Sequence, residues 1–137
     1  MKVGLVFTSG PRVVTREDID AFARLSGDHM SIHTNDDYAA TTPFGGVIAH
    51  GALNIAVATG LAYETGILDG TILAFRSLTM AFNRPVFPGD SLTFEAEVTQ
   101  MDPSPREESG KVTTLVTLRN QNGKKVISGD WVIVLKR

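Results

Sequence analysis

The feature that most constrains this fold is one stretch of chain, residues 47–64, that is apolar on every side. A helix that is hydrophobic all round is stable only where its surroundings bury it. The stretch is interrupted by His50, Asn54 and Thr59, and it falls short of the ~20 residues that a bilayer span requires. The sequence therefore predicts a central helix that another layer of structure must cover.

Alternating apolar and polar residues after this helix predict an antiparallel sheet. Residues 92–99 alternate cleanly between the two types, as a half-buried strand does. Similar patterns predict strands at residues 72–82, 112–119 and 125–135. A loop is predicted at residues 102–105, and Asn122-Gly123 is a hairpin signal. Helical segments followed by a run of strands indicate an α+β fold.

The first third of the chain predicts two shorter helices around a turn. Thr15 is placed to cap a helix at residues 16–25, and Asp18 stands in the acidic position of a capping box. Gly27 is expected to end that helix, because glycine adopts the left-handed backbone found at helix C-termini. Residues 28–33 are then a loop or tight turn, before a short capped helix at residues 35–40 and a loop over residues 41–46.

Composition restricts the chemistry and the partners. The 137 residues fit a single domain, residues 1–137, and the net charge of -2 without a basic cluster argues against a nucleic-acid partner. There is no cysteine, which excludes disulfides, thiolate nucleophiles and cysteine-based zinc sites. The N-terminal apolar stretch ends by Phe7, too early for a signal-peptide core. We therefore expect a cytoplasmic protein with no membrane partner.

An aspartate and a histidine close together in sequence are the main candidates for chemistry. Asp28 and His33 stand five residues apart on the predicted turn beside the buried helix. A carboxylate and an imidazole can share proton donation and acceptance near neutral pH. A structural interpretation is also open, in which Asp28 caps a turn and His33 is a satisfied, partly buried histidine. Residue types alone favour the structural interpretation.

Other kinds of site fit the same segment less well. His29, His33 and Asp28 include ligand types that zinc accepts, but no HExxH or cysteine pattern accompanies them, and we expect no metal. Ser31 would complete the residue types of a Ser–His–Asp hydrolase, but the G-x-S-x-G elbow is absent. The glycines before the central helix match neither common phosphate-binding loop.

Several short motifs follow one another in a recognisable order along nearly the whole chain. They are Ile19-Asp20-Ala21-Phe22-Ala23, Ser26-Gly27-Asp28, Ile32-His33 with Ala39, Ile48-Ala49-His50-Gly51 and Arg84-Pro85-Val86-Phe87-Pro88-Gly89-Asp90. In this order the motifs resemble the (R)-specific enoyl-CoA hydratases and MaoC-like dehydratases, which have the hot-dog fold. Separate matches in order are more specific than one motif, and they favour the catalytic interpretation of Asp28 and His33.

The resemblance implies a site and a reaction. Asp28 and His33 are expected to hold and activate water, while the backbone N–H of Gly51 binds the thioester oxygen. The residues expected at the substrate are Met30, Ser31, His50 and Thr59. The expected reaction is (R)-specific hydration of a trans-2-enoyl thioester, or the reverse dehydration. No separate cofactor is expected, because coenzyme A or an acyl-carrier pantetheine forms part of the substrate.

The resemblance also implies an assembly and leaves alternatives open. Two sheets are expected to join edge to edge in a homodimer or a dimer of dimers, which would also satisfy unpaired strand edges. The family signature has Asn-Pro where this chain has Met30-Ser31, so the loop loses the stiffness of proline and the polarity of asparagine. A hot-dog acyl-CoA thioesterase and a weakly catalytic acyl-thioester binding subunit are the alternative functions.

Restoring the signature with Met30→Asn and Ser31→Pro tests the effect of this departure. We expect the double variant to change substrate preference or to raise turnover, because a stiffer, more polar loop holds Asp28 and His33 in a narrower range of positions. The measurement is kcat/KM over a panel of enoyl thioesters. Identical kinetics on every substrate would mean that the two residues are neutral.

Overall fold

The computed structural model describes residues 1–103 and 109–136. In chain order the elements are β1 (Val6–Val13), α1 (Arg16–Ser26), α2 (Ser31–Thr34), α3 (Asp36–Ala40), α4 (Gly51–Glu64), β2 (Ile72–Phe82), β3 (Ser91–Pro103), β4 (Ser109–Arg119) and β5 (Lys125–Lys136). The five strands found in this part of the chain form one antiparallel sheet in the order β1-β3-β4-β5-β2. The predicted α+β class is confirmed.

Helix α4 packs on the sheet and supplies the centre of the core. Its buried residues Leu53, Val57 and Leu61 join one hydrophobic cluster with Phe94 and Trp131 of the sheet. Burial of side chains of this size contributes roughly 1.5–3 kcal/mol each. Within the described ranges, no helix has both the length and the hydropathy to cross a bilayer.

The other face of α4 differs from the expectation of all-round burial. It carries Ala52, Ala56, Thr59, Gly60 and Tyr63, and all are exposed in the single chain. These positions follow a spacing of three and four residues, so they form one continuous stripe along the helix. The apolar pattern correctly predicted a helix against a sheet, but one chain covers only part of that helix.

Strand β1 has no counterpart in the sequence-based prediction. Gly10-Pro11 interrupts the alternation of residues 6–13, and proline cannot donate to a ladder hydrogen bond. The strand nevertheless pairs with β3, with a register shift between Ser9 and Arg12 that accommodates the interruption. Gly10 has a φ of 101°, and a Cβ there would lie 2.9 Å from the backbone oxygen of Leu92. Glycine is therefore needed at this bend.

Two segments beside the candidate residues also differ from the prediction. Residues 31–33 of the predicted turn belong to the short helix α2, which ends at Thr34. Residues 47–50 precede the helix rather than belonging to it, because the N–H groups of Ile48 and Ala49 donate to the carbonyls of Ile32 and Val86. In the predicted loop at residues 102–105, the first two residues belong to β3, while Ser104 and Pro105 lie outside the described residues.

The capping box of α1 is present as predicted. The Thr15 hydroxyl oxygen accepts from the Asp18 N–H at 3.1 Å, and the Asp18 carboxylate accepts from the Thr15 N–H at 2.9 Å. This second bond, with help from Arg12, lowers the pKa of Asp18 below its usual 3.8. Gly27 ends the helix in the left-handed conformation, with a φ of 83°.

The substitution Asp18→Asn tests the energetic contribution of this box. A carboxyl whose pKa is depressed by folding stabilises the protein above its unfolded pKa, and that stability is lost as the pH falls through the folded pKa. We expect Asn to lower the free energy of unfolding at pH 7 by about 0.5–1 kcal/mol. The difference from wild type should shrink as the pH falls below 3.8.

Urea denaturation at a series of pH values measures this difference. Glu17→Gln is the matched control, because it removes a negative charge from the same first turn without touching the box. If Asp18→Asn and wild type lose stability in parallel as the pH falls, the box makes no pH-dependent contribution.

Candidate active site

Helix α2 carries His33 into the core. The side chain is 7% exposed, and its Nδ1 lies 2.7 Å from the backbone oxygen of Ile48. Because a carbonyl oxygen can only accept, Nδ1 of the neutral ring carries the proton and Nε2 keeps a free lone pair. This is a tautomer that can act as a general base through Nε2.

Asp28 forms the turn that leads into α2. Its Oδ1 accepts a hydrogen bond from the Met30 N–H at 3.1 Å, and its own N–H donates to the Ser26 hydroxyl at 3.1 Å. Aspartate commonly closes a turn in this way. Oδ2 accepts no bond from any described residue, and the residue is only half-buried. Asp28 therefore closes the turn and still has one carboxylate oxygen free.

His50 joins Asp28 and His33 from the N-terminus of α4. Its ring stacks on that of His33, with centroids 3.9 Å apart and planes inclined by 24°, while Phe22 contacts it edge-on. His50 is 2% exposed, and its Nε2 donates to the backbone oxygen of Asp28 at 3.0 Å. One oxygen of Asp28 and one nitrogen of each imidazole lie within 4.8 Å of one another.

These three residues offer ligand atoms that a metal such as zinc accepts, although their geometry is a poor match. The ligating lone pair of an imidazole lies in the plane of its ring, so two stacked rings direct their lone pairs side by side rather than toward one point. Tetrahedral zinc requires nitrogens that converge on the ion. His29, which belonged to the metal alternative in the sequence, is exposed. The expectation of no metal stays a prediction.

A cleft of about 450 Å³ opens beside His33. Gly51 and Asn54 line it from α4, and Phe82 lines it from the end of β2. Gly51 is the first residue of its helix, so its N–H has no partner within the helix and lies at the positive end of the helix dipole. A Cβ at this position would lie 2.6 Å from the Phe82 ring, so glycine permits the ring to approach.

The structure brings only some of the predicted site residues together. Asp28, His33 and His50 form one cluster, and Gly51 shares the cleft with His33. Four residues were expected at the substrate, and none of them lines this cleft: Met30, Ser31, His50 and Thr59. Thr59 is exposed, and its hydroxyl donates to the backbone oxygen of Ala56 at 2.6 Å. Their roles at the substrate stay predictions.

Asn54 lines the cleft but is not among the residues predicted at the site. A signal for it was present in the sequence, because an amide side chain interrupts an otherwise apolar helix. Burial of such a group is costly unless it forms a hydrogen bond.

Comparisons with known proteins agree with the fold. The family model described as a MaoC like domain matches residues 5–120. An (R)-specific enoyl-CoA hydratase from Aeromonas caviae is 35% identical over 118 residues, which are 86% of this chain and 84% of that protein.

Solved structures are similar over the whole chain. The monoamine oxidase regulatory protein from Archaeoglobus fulgius has a TM-score of 0.93 and 32% identity, covering 100% of this chain and 92% of that one. The (R)-hydratase from A. caviae has a TM-score of 0.82 and 30% identity, covering 97% and 96%. The expected hot-dog fold is confirmed.

Proposed function

The chain belongs to the MaoC-like dehydratase family, and from that premise we propose that it hydrates trans-2-enoyl thioesters with (R) specificity, or catalyses the reverse dehydration. Relatives named as hydratases and dehydratases identify it as an enzyme of this lyase type. The observation that best supports the proposal is the free Nε2 lone pair of His33. His33 lines the same cleft as the N-terminus of α4, and its ring lies close to the Asp28 carboxyl. The substrate carries coenzyme A or a pantetheine arm.

The proposed reaction uses His33 as the base. Its Nε2 takes a proton from water as the water oxygen bonds to carbon 3, and the electrons of the double bond move toward the thioester oxygen. Asp28 orients the water and passes a proton to carbon 2. It regains a proton from the His33 imidazolium before the next turnover. Protons and charge therefore balance over the cycle.

Gly51 stabilises the enolate that forms between these steps. Its N–H, at the positive end of α4, donates to the thioester oxygen as negative charge develops there. Removal of such a donor costs on the order of 10²-fold or more in kcat, and each proton transfer contributes about 10²–10⁴-fold.

Substitution of the acid–base pair tests the proposal. Asp28→Asn and His33→Asn should each lower hydration of a short enoyl-CoA by at least about 10²-fold, because the two groups act as a unit. The assay follows the ultraviolet absorbance of the conjugated thioester, and circular dichroism checks the fold. His29→Asn is the matched control, an exposed histidine next to Asp28, and should keep full activity. Near-full activity in either folded variant of the pair would refute the assignment.

A thioesterase remains the second candidate, because a carboxylate beside a helix N-terminus can also serve hydrolysis. The free Oδ2 of Asp28 is the observation that favours it. The same assay separates the two activities when free thiol is measured in parallel. Thiol release identifies a thioesterase, whereas loss of the conjugated double bond without thiol identifies a hydratase. Binding without either product would identify the acyl-thioester binding subunit.

The assembly is part of the proposal, and the position of β2 in the fold supports β2 as the joining strand. Strand β2 lies at one edge of the sheet and is exposed along almost all its length. It presents the large apolar side chains Ile72, Leu73, Phe75, Leu78 and Phe82. A long apolar edge with unpaired backbone groups favours pairing with another strand. We therefore propose a homodimer in which β2 of each copy pairs with β2 of the other.

A charge on this edge tests the assembly. Wild type is expected to be a dimer, or a dimer of dimers, of the 14.8 kDa chain by light scattering at micromolar concentration. Leu78→Lys should shift it toward the monomer and lower activity, because the buried interface would contain an unpaired charge. Leu115→Lys is the matched control, since Leu115 has similar exposure on the central strand β4. A wild-type monomer with full hydratase activity would rule out this architecture.

A further inference from the structure

Asn54 is a buried residue whose amide oxygen has no hydrogen-bond partner among the residues that the structure describes. The residue is 3% exposed, and its Oδ1 is buried without a hydrogen bond to any described residue. Its backbone is regular, with the N–H donating to the His50 oxygen at 3.2 Å. An unsatisfied buried acceptor destabilises the folded protein. A leucine would fill this position in an apolar helix without that cost.

The Asn54 side chain lies where the proposed reaction would take place. It lines the same cleft as His33 and Gly51. It stands one turn after Gly51, and helical side chains lean back toward the helix N-terminus. The amide therefore leans toward the turn that carries the Gly51 N–H.

The chemistry of the reacting groups limits what can bind Oδ1. An amide oxygen needs a hydrogen-bond donor. The thioester oxygen can only accept, and carbons 2 and 3 offer no polar hydrogen. The added water, or the 3-hydroxyl that it becomes, is the donor among the reacting groups. The Met30 side chain is 60% exposed and offers only a weakly accepting thioether.

We propose that Asn54 Oδ1 accepts a hydrogen bond from the water that adds to carbon 3, and from the 3-hydroxyl in the reverse reaction. This inference rests on the proposed hydratase function and adds a residue that the family signature does not contain. The water then donates one hydrogen to His33 Nε2 and the other to Asn54, and directs a lone pair at carbon 3. Asn54 exchanges no proton, so it is a positioning residue for the water.

The substitution Asn54→Leu separates this role from a packing role. Leucine has similar volume and needs no hydrogen bond, so the thermal midpoint should stay equal or rise. We expect kcat for hydration to fall by about 10-fold or more, because the water loses an orienting contact. KM for the enoyl thioester should change little, since that substrate has no 3-hydroxyl. A purely structural asparagine would give the same stability with unchanged kcat.

A binding measurement gives a second readout that does not depend on turnover. In the Asp28→Asn background, which blocks the reaction, calorimetry compares (R)-3-hydroxybutyryl-CoA with butyryl-CoA, which lacks the hydroxyl. With Asn54 present the hydroxylated ligand should bind more tightly by about 2- to 10-fold, the range expected for one hydrogen bond. Adding Asn54→Leu should abolish that preference. Val57→Ile, a packing change on the same helix, is the control and should preserve it.

The outcomes distinguish this inference from the proposed function. If wild type hydrates enoyl thioesters and Asn54→Leu keeps both kcat and the preference for the hydroxylated ligand, Asn54 has no role at the water. If wild type hydrates none of them, the hydratase proposal itself fails. Should the leucine variant not fold, Asn54→Ala repeats both measurements with the same expected losses.

Discussion

Burial of helix α4 against the sheet is the constraint on which the rest of the structure depends. Leu53, Val57 and Leu61 place the helix over β1 and β3, and its position determines where residues 47–50 run. These residues lie outside the helix, and the backbone N–H groups of Ile48 and Ala49 donate to Ile32 and Val86. The candidate site is assembled where this segment meets α2, so the geometry of the site follows from how the core is packed.

Residues 48–51, at the start of α4 and just before it, contribute to the site at three positions. The Ile48 oxygen binds Nδ1 of His33, the His50 ring stacks on His33, and Gly51 begins the helix with an N–H that has no intrahelical partner. Because these residues are adjacent in the chain, a shift of the helix would move all of them together. The close approach of Phe82 to Gly51 limits such a shift from the side of β2.

The structural and catalytic interpretations of Asp28 and His33 are compatible. Asp28 does close a turn, and His33 is a buried histidine with a satisfied Nδ1. Each of them nevertheless keeps one group free, Oδ2 of Asp28 and Nε2 of His33. The bonds that stabilise the fold also orient these free groups, as a preorganised site requires. Asn54 differs because its amide oxygen has no hydrogen-bond partner in the described part of the chain.

The sequence by itself determined the features that depend on near neighbours in the chain. The capping box of Thr15 and Asp18, the helix end at Gly27 and the alternation of β3 could all be predicted, because each is decided by residues a few positions apart. The resemblance identified Asp28 and His33 as a pair. Tertiary structure alone decided that His33 meets Ile48, 15 residues away in sequence, and that His50 meets Asp28, 22 residues away.

Tertiary structure also decided that β1 pairs with β3 despite Gly10-Pro11, that Thr59 is exposed, and that Asn54 opens onto the cleft. The physical reason is that apolar patterning specifies which side chains avoid water without specifying their neighbours. The hydrogen-bond partner of a buried polar group depends on the path of the whole backbone between the two residues, and packing of the complete core selects that path.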